Sequence, residues 1–341
     1  MATFITSKSV GQTINVYLNT STGYWKYNHD GNDSTPKQGY VSGIEVTNAN
    51  GEFTLISCDS QGNVSGNVIG LDLRNNNIIS FNGTNLSTLI YIYLSDNQIT
   101  SFDGTDLTSL TDLYLENNQL TSLIGFILPN SLNYLYLTSN QLTSIDVSSL
   151  INLTNLLLNN NQLTSFDGTD LTSLHWLNLE NNNLTSLNSF IFPSSLSLLF
   201  LGYNQMTSFD TTGLSNLTQL NLDSNQFTSF DTTGLSNLNQ LVLSSNQLTS
   251  LDVTGLPNLT DLRLSGNQMT PSANDQLLHQ LNQNGSQWGY FPSNNGRTSA
   301  SNTDYNNLLT NLGWSFSGLD LVSGPVVGNG KLRVKGVTTG I

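Results

Sequence analysis

Tyrosines recur in step along the first half of this chain. Tyr91 and Tyr93, Tyr114, then Tyr134 and Tyr136 stand about one period apart, followed by Trp176, Phe200 and Tyr203. Asp96, Asp112, Glu116 and Glu180 lie among them. Rings flanked by carboxylates and amides suit recognition: a ring stacks on an apolar sugar face or seats a protein side chain, and the polar groups bind hydroxyls. The same spacing has a plainer explanation, because aromatic residues favour strands and pair across them. A second series is acidic: Asp103, Asp146, Asp167, Asp210, Asp231 and Asp252. Stacked carboxylates attract calcium, which takes clustered oxygens. An aspartate before Gly or Thr also bonds its own turn backbone. No second acid recurs in every repeat to complete a cage, since Asp106 and Asp170 occur in only two, so no metal is expected. Catalysis finds no motif: G-x-S-x-G, H-E-x-x-H and a phosphate loop are absent. His29, His175 and His279 fall far apart, and His29 beside Asp30 lacks a third partner. Neither a catalytic residue nor a cofactor is therefore expected. Cys58 is the single cysteine, so no intrachain disulfide can form, and it reads as a small buried apolar residue.

The elements that must position these residues are written in the stretch Gly70–Thr270. One phrase, L-x-L-x-x-N-x-h-T-S-h with h apolar, is repeated ten times. Its asparagines are Asn76, Asn97, Asn118, Asn140, Asn161, Asn182, Asn204, Asn225, Asn246 and Asn267, always 21 or 22 residues apart. A fixed period of this length signals a solenoid whose units bury their apolar residues only by stacking. Leu110-x-x-Leu113-x-Leu115-x-x-Asn118-x-Leu120 resembles the leucine-rich repeat family. The resemblance implies a β-rich horseshoe or right-handed coil with a parallel sheet on the concave face. With so few residues per coil, extended chain and turns, and few or no helices, are expected on the convex side. Pro129 and Pro193, in LPNSL and FPSSL, reinforce that expectation. Ten strands roughly 4.8 Å apart make a sheet on the order of 45–50 Å long. The recurring Asn is expected to satisfy backbone groups of the adjacent coil.

The L-x-L pair alternates inward and outward. The residue between the leucines therefore faces the open concave side. That column reads Asp72, Tyr93, Tyr114, Tyr136, Leu157, Asn178, Phe200, Asn221, Val242, Arg263. The column before it reads Gly70, Tyr91, Asp112, Tyr134, Asn155, Trp176, Leu198, Gln219, Gln240, Asp261. In this register the rings cannot belong to the core. Tyr91, Tyr93, Asp112, Tyr114, Glu116, Tyr134, Tyr136, Trp176, Phe200 and Tyr203 are the candidate ligand-binding set.

The flanks differ from the repeats. Residues 1–69 read as a small antiparallel β cap, with strands at Thr13–Leu18, Val41–Thr47 and Phe53–Cys58 and a turn at Asn28–Gly31. Residues 271–317 read as a C-terminal α/β cap. Ser272 is the expected N-cap of a first helix, with Asp275 three residues on. Leu277, Leu278 and Leu281 form its apolar face, and Asn284-Gly285 ends it. A strand follows at Trp288, Tyr290 and Phe291. A second helix is expected at Asn302–Asn311 with Leu308, Leu309 and Leu312 inward, then a strand from Trp314 and Phe316. This cap resembles those of bacterial surface proteins and phage tail or virion proteins, and Gly23-Tyr24-Trp25-Lys26-Tyr27 looks like phage structural proteins. Residues 318–341 form a tail. Its Lys331, Arg333 and Lys335 alternate with apolar residues, as in an edge strand kept soluble by charge or in a strand that docks on another subunit.

Composition narrows the partners. With 23 acidic and 9 basic residues, the formal charge is −14. This disfavours nucleic acid, which wants a basic face, and an anionic membrane surface. No apolar run is long enough to span a bilayer, so no membrane insertion is expected. The opening MATFITSKSVGQTINVYLN lacks a charged-then-apolar leader. The expectation is an extracellular or virion-associated protein that leaves without a cleaved signal, or a cytoplasmic one. The reading is a non-enzymatic, adhesin-like recognition protein, with phage virion or tail as its setting and a host or cell-surface glycan or protein as its ligand. Two alternatives stand beside it: a fibre or decoration subunit that self-assembles or docks to a larger particle through its basic strand, and a cytosolic protein-binding module.

Overall fold

In the computed structural model the repeats form a solenoid. The structure describes residues 2–6, 13–20, 25–29, 32–33, 40–45, 52–57, 68–83, 86–123, 128–187, 190–285, 289–292, 296–317 and 319. The expected tail with Lys331, Arg333 and Lys335 lies outside them, as do Tyr24, Cys58 and Trp288.

Each coil contributes one short concave strand. These are β7 (Val68–Asp72), β9 (Tyr91–Tyr93), β11 (Asp112–Tyr114), β12 (Tyr134–Tyr136), β13 (Asn155–Leu157), β14 (Trp176–Asn178), β15 (Leu198–Phe200), β16 (Gln219–Asn221), β17 (Gln240–Val242) and β18 (Asp261–Arg263). They pair in parallel with no slip in register. The cause is the leucine at the centre of each strand. Leu113, Leu135, Leu156 and Leu177 are fully buried, and a one-residue slip would turn them all outward. Leu115 and Leu120 of the same coil are buried too. Each is worth about 1.5–3 kcal/mol, available only when the neighbouring coils cover them.

The asparagine ladder closes the turn after each strand. Asn161 donates through Nδ2 to the carbonyls of Leu158, in its own coil, and Leu137, in the coil before, both at 3.0 Å. Its Oδ1 accepts from the Leu142 N–H at 3.0 Å. Asn97 and Asn182 repeat the pattern. The residue before each of these asparagines takes a left-handed backbone, from Asn75 at φ 60° through Asn160 at φ 58° to Gly266 at φ 75°. Asn, Asp and Gly tolerate that region.

The convex side is mostly turns. Its first two coils differ: β8 (Ile78–Asn82) and β10 (Ser101–Asp103) pair in parallel, Phe102 beside Phe81. They belong to a second sheet, which also takes part of the N-terminal segment. β1 (Ala2–Thr6) joins β8, followed by β6 (Glu52–Ser57), β3 (Trp25–His29) and β4 (Asn32–Asp33). The other N-terminal strands, β2 (Thr13–Thr20) and β5 (Tyr40–Glu45), extend the concave sheet beyond β7. The expected single antiparallel unit is thus antiparallel but divided, one part on each sheet. Asn28 and His29, expected in a turn, are strand residues paired with Asp33 and Asn32. The repeats alone would leave β7 and β8 as sheet edges at the first coil; β2 and β1 pair with them.

At the other end helix α1 (Pro271–Asn284) covers the last coil. Its N-cap is Thr270, not Ser272: the Thr270 hydroxyl accepts from the Ala273 N–H at 3.1 Å and Pro271 takes the first helical position. Pro fits there because its missing N–H would have no helical acceptor. Asp275 does not fold back on the cap. Its carboxylate accepts from the Thr298 N–H at 2.9 Å and from the Thr298 hydroxyl. Leu277, Leu278 and Leu281 are buried as expected, and Gly285 ends the helix at φ 70°. Gln280 and Asn284 bond the backbone of Val253, so the helix satisfies polar groups that a further coil would otherwise meet. β19 (Tyr290–Pro292), α2 (Asn302–Thr310) and β20 (Ser315–Ser317) follow, and the two strands continue the concave sheet. On α2 only Leu308 is fully inward. Leu309 is 45% exposed, against expectation, because neighbouring helical residues point to different faces. Leu312 packs partly against the core.

Candidate functional site: the concave face

Strand pairing places both outward columns as the sequence alternation requires. Asp72, Tyr93, Tyr114, Tyr136 and Leu157 are direct neighbours, and Tyr91, Asp112, Tyr134, Asn155 and Trp176 are neighbours beside them. Every strand from β9 to β17 buries only its central residue. The rings therefore pack on one another, outside the core. Ring centroids are 5.6 Å apart for Tyr91–Tyr93, 4.5 Å for Tyr93–Tyr114, 4.8 Å for Tyr114–Tyr136 and 6.5 Å for Tyr134–Tyr136. Gly70 makes room at the start of this ladder, since a Cβ there would lie 2.0 Å from the Tyr91 ring. Partial burial raises the hydroxyl pKa of Tyr93, Tyr114 and Tyr136 above 10, and nearby Asp112 adds to it.

The structure divides the expected set. The five tyrosines form one cluster. Trp176 and Phe200 form a second, edge to face at 6.4 Å, beyond the intervening Asn155 and Leu157 of β13. Tyr203 belongs to neither column. It stands in the turn after β15, 58% exposed, in the left-handed position that other coils give to Asn, Asp, Ser or Gly.

A third column, two residues further on, was glimpsed in the sequence only through Glu116 and Glu180. It contains Arg74, Ser95, Glu116, Thr138, Asn159, Glu180, Gly202 and Asp223. Arg74 forms a two-point pair with Asp72, at 3.0 and 2.7 Å, and lies 5.1 Å over the Tyr93 ring. Glu116 accepts from the Ser95 hydroxyl at 2.5 Å. Glu180 reaches past the coil of Gly202 to Asn221, whose amide donates to it at 2.5 Å. Gly202 permits this crossing: a Cβ there would sit 3.2 Å from Glu180 Oε1. Burial raises the carboxyl pKa of both Glu116 and Glu180, and Asp223 contributes at Glu180. On this face two buried polar atoms, Trp176 Nε1 and Asp223 Oδ1, find no hydrogen-bond partner among the described residues. Arg74 and Asp223 escaped the sequence reading, although the same in–out alternation taken one step further would have found them; Asn178 and Asn221 stood in its outward column but outside the candidate set.

The aspartate series bonds locally. Asp103, Asp146, Asp167, Asp210, Asp231 and Asp252 each accept from the backbone N–H two residues on, at 2.9–3.1 Å. Hydroxyl and backbone donors at Thr105, Thr169, Thr212 and Thr233 hold the carboxyls of Asp103, Asp167, Asp210 and Asp231 below 3.8; at Asp146 the Ser148 N–H leads. Among the described residues no group of three or more His, Cys, Asp or Glu is placed to hold a metal ion. His175 and His279 remain apart, the first bonded to Ser173 O and the second paired with Asp304 on α2. No described helix is long and apolar enough to cross a membrane.

A stacked parallel sheet, an asparagine ladder and an open concave face define a leucine-rich solenoid. Leucine-rich repeat models match residues 87–130, 131–153 and 172–227. Among solved structures, a leucine-rich repeat protein of Leptospira interrogans is 30% identical, with 68% of this chain and 67% of that one covered and a TM-score of 0.52. The chain belongs to the leucine-rich repeat proteins. The functional domain of InlJ from Listeria monocytogenes, described as including a cysteine ladder, is 27% identical with a TM-score of 0.60. That match covers 74% of this chain but only 54% of the InlJ domain. An internalin, InlF, of the same organism shares the fold at 22% identity and a TM-score of 0.50, over 76% of this chain and 89% of that one. No curated protein matches by sequence.

Proposed function

We propose that this protein is a recognition module without catalytic activity, and that its concave face is the binding surface. One observation carries the reading. Five tyrosines from three consecutive coils lie side by side on the open face, packed on one another and part-exposed, with Arg74 over Tyr93. Part-exposed rings rimmed by Asp112, Glu116 and Asn155 make a surface that gains by being covered, since their remaining apolar area is still in water. Tyrosine also brings contact area at little cost in conformational freedom. The finer form of the proposal is an adhesin-like protein that holds a protein or glycan displayed on another surface. The resemblance of the flanks to surface and virion proteins favours that form. Its test is a screen of protein and glycan arrays with the intact chain and with the double variant Tyr114→Ser/Tyr136→Ser. A ligand captured by the first and lost by the second, at an unchanged fold by circular dichroism, supports the proposal. Equal capture of every ligand overturns it.

A further inference from the structure

The charge of the concave face narrows its partner. Between Arg74 and Arg263 the chain contains no lysine or arginine at all, yet it contains fourteen acids. At the two ends of the face an arginine and an aspartate answer each other, Arg74 with Asp72 at 2.7 Å and Arg263 with Asp261 at 2.8 Å. In the middle Asp96, Asp112, Glu116, Glu180 and Asp223 hydrogen-bond to neutral groups or keep an unpartnered oxygen, and only Asp96 and Glu116 also feel the charge of Arg74. Asp96 takes an amide from Asn117, Asp112 the Thr111 hydroxyl, Glu116 the Ser95 hydroxyl and Glu180 the Asn221 amide. Asp223 keeps one buried oxygen without a partner. Desolvation works against ionised Glu116 and Glu180, and their neutral hydrogen-bond donors offset it only in part.

The face also shows how it holds a cation. Arg74 sits over the Tyr93 ring while its guanidinium forks onto Asp72. A ring plus a carboxylate is the usual seat for such a group. The same two ingredients recur further along without the cation. Trp176 and Phe200 supply rings, and Glu180 and Asp223 supply carboxylates on either side of Gly202, over which Glu180 and the Asn221 amide meet. We propose that the concave face from Asp96 to Asp223 receives a cationic polypeptide segment, with an arginine or lysine of that segment seated at Trp176, Phe200, Glu180 and Asp223. A neutral glycan would leave Asp112, Glu180 and Asp223 without a counter-charge, whereas a basic segment supplies one and is steered in by the field of the face. This inference rests on the concave face being the recognition surface and adds the chemistry of what it recognises.

The test compares two variants that remove equal charge. Glu180→Gln/Asp223→Asn alters the face, and Asp210→Asn/Asp231→Asn alters the convex turns. A labelled peptide alternating arginine and serine is titrated into each variant and the parent, with a glutamine–serine peptide as the neutral control. Fluorescence anisotropy is read at about 50 and about 300 mM salt, where screening differs by more than twofold in length. The expected result is binding of the arginine peptide alone, weakened about tenfold or more by the face variant and less than about twofold by the convex one, on the scale of a lost charge-assisted contact. Equal weakening in both variants shows general attraction to an acidic protein and overturns the inference, as does calcium displacing the peptide from the parent. Two failures are distinguishable. If the arginine peptide does not bind but Tyr114→Ser/Tyr136→Ser abolishes capture of a neutral glycan, recognition stands and the cationic partner falls. If no ligand depends on the rings, both fall.

Discussion

Replacing Asn161 with alanine tests the ladder that holds the concave strands in phase. The side chain makes three strong bonds, accepting from Leu142 N–H and donating to the carbonyls of Leu137 and Leu158. Their loss is unequal. Leu137 O keeps a second donor, Asn140 Nδ2 at 3.1 Å, and Leu158 O keeps Asn182 Nδ2 at 3.0 Å. Only the Leu142 N–H is orphaned, at about 1–3 kcal/mol, while the two carbonyls lose a redundant bond at about 0.5–1 kcal/mol each. The expected cost is about 2–5 kcal/mol. Because a repeat array need not unfold in one step, the assay is hydrogen exchange read amide by amide, together with the urea midpoint. The Leu142 amide should exchange at least about thirtyfold faster, as a loss of about 2 kcal/mol requires, and its neighbours two coils away should change little. Asn161→Asp should also destabilise the coil, because it keeps the acceptor for Leu142 but turns a second oxygen toward two carbonyls. A cost below about 1 kcal/mol for Asn161→Ala, or uniform acceleration along the whole chain, would refute the reasoning.

Further outcomes follow from the same geometry. Tyr203→Asn should raise stability by about 0.5–1 kcal/mol in thermal melts, because asparagine tolerates the left-handed backbone that Tyr203 occupies at φ 55°. The carboxyls of Glu116 and Glu180 titrate above 4.5 in the fold, so their contribution to stability is fully present below the unfolded value and is lost as pH rises through the raised one. Glu180→Gln should flatten that part of the pH–stability curve, measured by urea midpoints between about pH 4 and 7. The convex aspartates act in the opposite sense: held below 3.8, they support the fold at neutral pH and lose that support as pH falls through their lowered values. Gly70→Ala should leave the fold intact but push the Tyr91 ring off its seat, visible as a change in near-ultraviolet circular dichroism, because the new Cβ would lie 2.0 Å from that ring.

The phase of the repeat was legible because side chains alternate along a strand and leucine marks the inward step. That alone put Tyr93, Tyr114 and Tyr136 in one column and Tyr91 and Tyr134 in the next. The role of the asparagines followed from the need to satisfy a buried turn. Other features depend on relations between coils that no local pattern carries. Glu180 reaches Asn221 across Gly202, one coil between, where even a methyl group would crowd the carboxylate. Tyr203 was grouped with the rings because the left-handed turn before Asn204 leaves no composition signal when a tyrosine fills it. Thr270 and Ser272 can both cap a helix, and the adjacent Pro271 decided between them by taking the first helical position. The division of the N-terminal strands between two sheets reflects two exposed edges at the first coil, one of which, at Ile78–Asn82, was read as turn and extended chain.

The central claim is that the concave rings are the contact surface. It is tested most directly by immobilising the intact chain, Tyr114→Ser/Tyr136→Ser and Asp210→Asn/Asp231→Asn side by side, and measuring capture on one protein and glycan array. The prediction is a ligand held by the intact chain and by the convex variant but lost by the ring variant. If the ring variant captures whatever the intact chain captures, with the same affinity, the concave face is not the site.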